Sequence, residues 1–529
     1  MDGYVRCLSK SLTVLGLLAS EDFSPSSLNL VRVIYEVKRK EGGMMIFSRV
    51  NSMSVDSLQN FFEPKGVVLV GARRSFGFGY GIPLFLQKQG WGNRLFLVNS
   101  AGGELHDQRI YKRVQDVPSP VDLAIVIVPS EVVPGVMEEI GQRSIKSVII
   151  ESAGFAEIGK RGMALQERVR AIGMRYGMRV IGPNCVGVVN TENKFCSVEL
   201  LEESLTPGPL SIIAQSGVFG NILLDHLPQY GLSISKAVTL GNRVDVDESD
   251  VLDYLDRDPT TRVIMVYLEG AAEGRRLMEA LTRVTQRKPV LILKNGRTGA
   301  GKRATASHTG SLSGEDHIYC AAFAQAGAIR AESLSQLIDL ARVFTTQPLS
   351  RGNRLGIITT SGSLGALATD VSVSGGLIVP PLSPLMMRKV QEISPAWMNV
   401  RNPLDIGPSG IFGRLLPMLL ADPGIDMVLA IMVIPYVAVR HFKTAGITAG
   451  DWFGDIASIR EQYPDKPLLG VVVGHPEFVN DIHLLCGPSI PVFTSPEPAA
   501  RALVTLWNYS KARKKQKNRR SKAQLSVRR

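Results

Sequence analysis

Short β-rich runs alternate with helix-length spacers along most of this chain, and the pattern starts afresh twice. The first series opens with Gly66-Val-Val-Leu-Val-Gly71. It continues through Arg94-Leu-Phe-Leu-Val-Asn99, the run 121–129, Ser147-Val-Ile-Ile-Glu151 and Arg179-Val-Ile-Gly182. A second series begins at Pro209-Leu-Ser-Ile-Ile-Ala214 and a third at Gly352-Asn-Arg-Leu-Gly-Ile-Ile-Thr359. Nearly continuous apolar strands separated by helical spacers form parallel sheets covered on both faces. The expected fold is therefore α/β, with three consecutive doubly wound parallel-sheet domains. Joints near 196–208 and 346–353 give domains at 55–195, 196–350 and 351–510, between an extension 1–54, expected to be poorly ordered, and a tail 511–529.

Charge separates the tail from the rest. The chain of 529 residues has a formal net charge of +12. Residues 511–529 hold ten Lys or Arg and no acid, whereas 55–510 hold 43 basic and 43 acidic side chains. The basic isoelectric point thus belongs to a tail, expected to be disordered and solvated, and argues for no specific nucleic-acid face. Cys7, Cys185, Cys196, Cys320 and Cys486 are odd in number and lack CxxC spacing, which fits a reducing, cytoplasmic setting. No apolar run approaches the ~20 residues that span a bilayer. No histidine pair has HxxxH or HExxH spacing, so no metal site is expected.

Chemistry concentrates in a few turns. Ala304-Thr-Ala-Ser-His308-Thr-Gly-Ser-Leu-Ser-Gly314 surrounds one imidazole with small, hydroxylated, flexible neighbours. Such a stretch contributes little to a core and suits a nucleophile on a mobile arm. Ala214-Gln-Ser216-Gly217 lies where a strand meets a helix, so its hydroxyl and free amides suit a phosphate, although an ordinary Ser cap has the same sequence. Glu269 ends a strand, and a carboxylate there can accept the imidazole N–H and fix its tautomer. The Gly-rich turn after the first strand, Gly71-Ala72-Arg73-Arg74, offers amides and charge for a phosphate. The second strand ends at Asn99 without an acidic residue for a ribose, which argues against NAD. Gly182-Pro-Asn184-Cys185 follows the last strand of the first domain and is expected beside the Gly-rich turn; Cys185 reads as a small turn residue rather than a nucleophile.

Together these stretches resemble the NDP-forming acyl-CoA synthetases, the group that includes ADP-forming acetate–CoA ligase and the α subunit of succinyl-CoA synthetase. The resemblance runs from about Phe61 to residue 510. It rests on Gly71-Ala72, Ser152-Ala-Gly-Phe155, Gly182-Pro-Asn-Cys185, Gln215-Ser-Gly217, Leu240-Gly-Asn-Arg-Val-Asp-Val-Asp247, Tyr267-Leu-Glu-Gly270, Lys294-Asn-Gly-Arg297, Ser307-His-Thr-Gly-Ser-Leu312 and Asn402-Pro-Leu-Asp405. It implies a Rossmann-like CoA-binding domain followed by two flavodoxin-like ligase domains. It implies that His308 matches the phosphorylated histidine, Glu269 its supporting carboxylate, and Ser216 and Gly217 the helix terminus that receives the phosphate. Gly71, Ala72, Arg73, Arg74, Asn99 and Asn184 fall at the implied coenzyme A site.

Two departures carry expectations of their own. The ATP-grasp half that binds ATP or ADP with Mg²⁺ in this group does not follow residue 510, so a separate ATP-grasp β subunit is expected. Asn99-Ser-Ala-Gly102 lacks the lysine often found after this strand, so either CoA contact is weaker or Arg73 and Arg74 substitute. The implied activity is an acid–CoA ligase that interconverts acyl-CoA, ADP and phosphate with a small carboxylic acid, CoA and ATP. The alternative is a non-catalytic CoA-binding regulatory subunit of the same fold.

Overall fold

The computed structural model describes residues 58–75, 77–198, 205–309 and 314–527, with backbone alone for 306–309 and 516–527. The extension 1–54 lies outside the described residues. Three sheets succeed one another along the chain. The central strands Val67–Val70 and Leu123–Val126 of the first are short and wholly apolar, and both their faces are buried. Its spatial order is Gly103–Leu105, Gln108–Tyr111, Leu95–Val98, Val67–Val70, Leu123–Val126, Ser147–Ile150, Arg179–Ile181. Apart from the antiparallel edge strand Gly103–Leu105, all neighbours are parallel. The six parallel strands run 3-2-1-4-5-6 in chain order, the Rossmann arrangement.

The second sheet centres on Pro207–Ala214, flanked by Ile234–Thr239 on one side and by Val263–Leu268, Val290–Lys294 and Ile329–Ala331 on the other. The third centres on Leu355–Thr359, flanked by Leu404–Asp405 on one side and by Met427–Val433, Leu468–Val473 and Val492–Phe493 on the other. Both have the 2-1-3-4-5 order of flavodoxin-like sheets, so the expected fold class is borne out.

Three features differ from the sequence reading. Val188–Asn190, within the first domain as bounded above, pairs antiparallel onto Ile234–Thr239, and Phe195–Cys196 pairs antiparallel onto Val188–Asn190, so the two extend the second sheet. They cover an edge that would otherwise expose unpaired N–H and C=O groups. The segment from Ala304 does not start as a loop, because helix Gly299–Thr309 continues through His308. Thr298 accepts the Gly301 N–H at 3.0 Å to start that helix, and Ala304 and Ala306 sustain it. The tail is helical in backbone as far as Val527, where helix Pro496–Val527 ends. Residues 499–527 hold no Gly or Pro, and Lys, Arg, Gln and Ala are good helix formers.

That last helix ties the second and third sheets together. Ala499, Ala502, Leu503, Leu506 and Tyr509 are buried on it within one core shared by both sheets. The Tyr509 hydroxyl donates to the Thr285 carbonyl at 3.2 Å, and its ring meets Phe344 edge-on. The first and second domains are joined by charge. Arg179, on the last strand of the first sheet, donates to Asp245 at 2.8 Å and lies 3.3 Å from Asp250. Among the described residues no helix is long and apolar enough to cross a membrane.

Candidate active site

Strand Pro207–Ala214 ends in the centre of the second sheet, and its chain turns at Gln215 into helix Gly217–His226. Ser216 caps that helix, its hydroxyl accepting the Phe219 N–H at 3.4 Å. The first amides of a helix lack intrahelical acceptors and carry the positive end of its dipole. Gly217 lies against the first domain, because a Cβ there would meet Val186 at 2.6 Å and the Cys185 backbone at 3.4 Å.

Gln215 joins this turn to the end of the neighbouring strand Val263–Leu268. Its side-chain oxygen accepts the N–H groups of both Glu269 and Gly270, the latter at 3.0 Å. Its amide donates to the Gly270 carbonyl at 2.9 Å. Gln215, Ser216 and Glu269 are all buried. The sequence-predicted Ser216, Gly217 and Glu269 are thus held on one carboxyl edge by a residue that was not singled out as functional. Only its place in the Gln215-Ser-Gly217 match pointed to it.

Two further residues missed by the sequence reading back Glu269. The Tyr267 hydroxyl donates to Glu269 Oε1 at 3.4 Å and accepts from Asn295 Nδ2 at 2.6 Å. Burial, and secondarily the Glu269 charge, push the Tyr267 phenol up to about 12, so it keeps its proton. Lys294 is buried beside them, donates to the Asn295 carbonyl and sits 4.7 Å above the Tyr319 ring. Burial brings its ammonium down to about 8.

The helix carrying His308, Gly299–Thr309, packs against the turn Ala156–Ile158 at the carboxyl edge of the first sheet. The His308 imidazole lies outside the described residues. Glu157 in that turn accepts the N–H groups of Gly154 and Phe155 and the Asn242 amide at 2.6 Å. Burial works to raise the Glu157 carboxyl, but these donors outweigh it and hold it below the usual carboxylate range. Asn242 also reaches Gln166 at 2.9 Å and Asn184 at 3.5 Å. Asn184 thereby meets the second domain.

The Gly-rich turn occupies the same carboxyl edge of the first sheet, but not beside Asn184 as expected. Two strands intervene between their parent strands. At ~4.8 Å per strand the turns stand roughly 14 Å apart. Gly71 has φ +103°, and a Cβ there would run into the Ile127 carbonyl. Asn99 donates to the Ala72 carbonyl and accepts the Ala101 N–H, each at 2.9 Å, and so shapes this turn. Arg73 and Arg74 are exposed, and Arg74 donates to the Gly102 carbonyl. Cys185 is buried and donates to the Ile150 carbonyl at 3.3 Å; burial and the nearby Glu151 charge push its thiol well above the usual range. It is no nucleophile. Among the described residues no group of three or more His, Cys, Asp or Glu could hold a metal ion.

Comparison with known proteins gives this architecture a class. Residues 65–191 match a CoA binding domain, and residues 207–344 match a succinyl-CoA ligase like flavodoxin domain. The chain is 35% identical over 473 residues to acetate–CoA ligase [ADP-forming] I subunit alpha of Pyrococcus furiosus, covering 88% of this chain and 100% of that one. Subunit alpha of the ADP-forming acetate–CoA ligase II of the same organism is 34% identical over 459 residues, covering 86% and 98%. A solved structure of Ca. Korarchaeum cryptofilum dinucleotide forming acetyl-coenzyme A synthetase 1, in complex with phosphate and ADP, superposes with a TM-score of 0.79 at 31% identity. It covers 86% of this chain and 97% of that one. The chain belongs to the NDP-forming acyl-CoA synthetase family, as the resemblance implied.

Proposed function

We propose that this chain is the α subunit of an NDP-forming acid–CoA ligase, working through an acyl phosphate and a phosphohistidine at His308. A phosphate oxygen attacks the thioester carbonyl, the C–S bond breaks and the CoA thiol leaves. An imidazole nitrogen of His308 then attacks phosphorus in the acyl phosphate, the P–O bond to the acyl group breaks and the carboxylate departs. Transfer of the phosphoryl group to ADP gives ATP, and the sequence runs equally in reverse. The observation that carries this reading is the Gln215 junction, which sets a helix N-terminus and a buried carboxylate on one edge, with the His308 helix packed at the facing edge of the CoA-binding domain.

The local chemistry matches those steps. The capped turn at Ser216 and Gly217 offers oriented amides to a phosphoryl group. Glu269 accepts the second imidazole N–H and steadies the charged phosphohistidine. Gly71 and Ala72 form a turn whose backbone a ligand phosphate can approach, since the space a Cβ would need is filled by backbone, and Arg73 and Arg74 add exposed positive charge. These residues fit coenzyme A, which supplies the thiol; Asn99 and Asn184 shape the turns around it. An ATP-grasp β subunit holds ADP or ATP and Mg²⁺. The scattered cysteines, of which the four described are free, suit a cytoplasmic hetero-oligomer.

The test is reconstitution of the chain with an ATP-grasp partner, followed by ATP formation from acetyl-CoA, ADP and phosphate. The reading predicts that ATP and free CoA appear one for one. Binding of CoA without any turnover contradicts it and favours the regulatory alternative.

A further inference from the structure

We infer that Tyr267 is a positioning residue that aims Glu269 at the phosphorylated imidazole, and that Asn295 sets the direction in which Tyr267 gives its proton. The inference rests on the phosphohistidine reading and adds two residues to it. The two side chains come from adjacent strands, Val263–Leu268 and Val290–Lys294, whose register pairs Tyr267 with Leu293. Asn295 continues from the second strand and places its amide 2.6 Å from the Tyr267 oxygen. An amide N–H only donates, so the phenol must accept there. Its own proton then points to Glu269 Oε1, 3.4 Å away. The phenol ring is fixed by stacking on Phe219, with centroids 4.0 Å apart. Phe219 belongs to the helix capped by Ser216. The ring that orients the carboxylate is therefore packed on the helix that receives the phosphate.

Glu269 is fixed through its backbone by Gln215, which leaves side-chain direction to be set separately. Lys294 is a charged neighbour of Glu269, and its ammonium donates to the Asn295 carbonyl. Charge attracts a carboxylate without fixing its direction, whereas a hydrogen bond aims it.

The experiment is a double-mutant cycle on the reconstituted complex, using Tyr267→Phe, Asn295→Leu and both together. Phe keeps the ring stacked on Phe219 and removes only the hydroxyl. The readout is single-turnover labelling of His308 from acetyl-CoA and radiolabelled phosphate, with KM for acetyl-CoA measured alongside. The expected result is a labelling rate about tenfold lower for Tyr267→Phe, with KM unchanged. The double variant is expected to be no slower than Tyr267→Phe alone, because Asn295 acts through the hydroxyl. Rates that multiply independently, a change confined to KM, or an unaltered labelling rate each overturn the inference while leaving the phosphohistidine intact. A wild-type complex that labels no histidine overturns the functional reading, and this inference with it.

Discussion

The side chain of Gln215 clasps the peptide that follows Glu269: its oxygen takes the Glu269 and Gly270 N–H groups and its nitrogen returns a bond to the Gly270 carbonyl. A neutral amide thus fixes the spacing between the Ser216–Gly217 turn and the carboxylate. Gln215→Leu leaves two buried amides without that acceptor. Each unsatisfied buried group costs about 1–3 kcal/mol. The expected outcome is a lower thermal midpoint and a His308 labelling rate down by about tenfold or more, read by calorimetry and single-turnover labelling.

Interdomain contact is enforced by two glycines of different tolerance. A Cβ on Gly217 would meet the Val186 side chain at 2.6 Å, whereas one on Gly241 would strike the Pro183 and Asn184 carbonyls, at a φ of +57°. A side chain yields more readily than backbone, and a positive φ penalises any residue with a Cβ. Gly241→Ala is expected to lose about 2 kcal/mol or more, and Gly217→Ala distinctly less. Denaturant midpoints of the two variants give the order directly, and the reverse order contradicts the packing described.

Lys294 gives a pH dependence with a definite sign. Its folded ammonium titrates near 8, against 10.5 for an exposed lysine, because burial disfavours its charge. Below pH 8 the folded state carries the full cost of that charge. Between about 8 and 10.5 the unfolded chain binds more protons than the folded one, so this group's contribution to stability rises with pH. Relative to Lys294→Met, the wild type is expected to gain stability across that window. Midpoint differences measured from pH 7 to 10.5 check it, and a flat difference refutes it.

On the proposed reading, the exposed pair Arg73 and Arg74 acts by charge on a ligand phosphate. Arg73→Ala is expected to raise KM for acetyl-CoA about five- to tenfold with kcat unchanged, since uniform binding is lost. Added salt is expected to shrink the difference between variant and wild type. Initial rates at two ionic strengths provide the measurement.

The three sheets were legible because each restart places a buried strand run at the centre of its own sheet: Val67–Val70, Pro207–Ala214 and Leu355–Thr359. That Val188–Asn190 pairs with the second sheet was not legible, because a run of apolar residues does not reveal which sheet edge needs covering. The helical backbone through His308 was hidden by the small residues that follow, although Ala304 and Ala306 favour it. Within the candidate site, Ser216, Gly217 and Glu269 are marked by their positions after strands. Gln215 and Asn295 are not, because their partners lie 54 or 55 and 28 residues away and meet only when strands pair, and Tyr267, although two residues before Glu269, is oriented by Asn295 on the next strand. The spacing between the Gly71 and Asn184 turns likewise follows from strand order, which a linear pattern does not carry.

The most direct measurement is the site and chemical character of the phosphoryl group in the reconstituted complex. After mixing with acetyl-CoA and radiolabelled phosphate, the α chain is predicted to carry an alkali-stable, acid-labile label on His308 that ADP removes as ATP, and His308→Asn to carry none. Normal ATP formation by the His308→Asn complex, or the same label on another residue, contradicts the account.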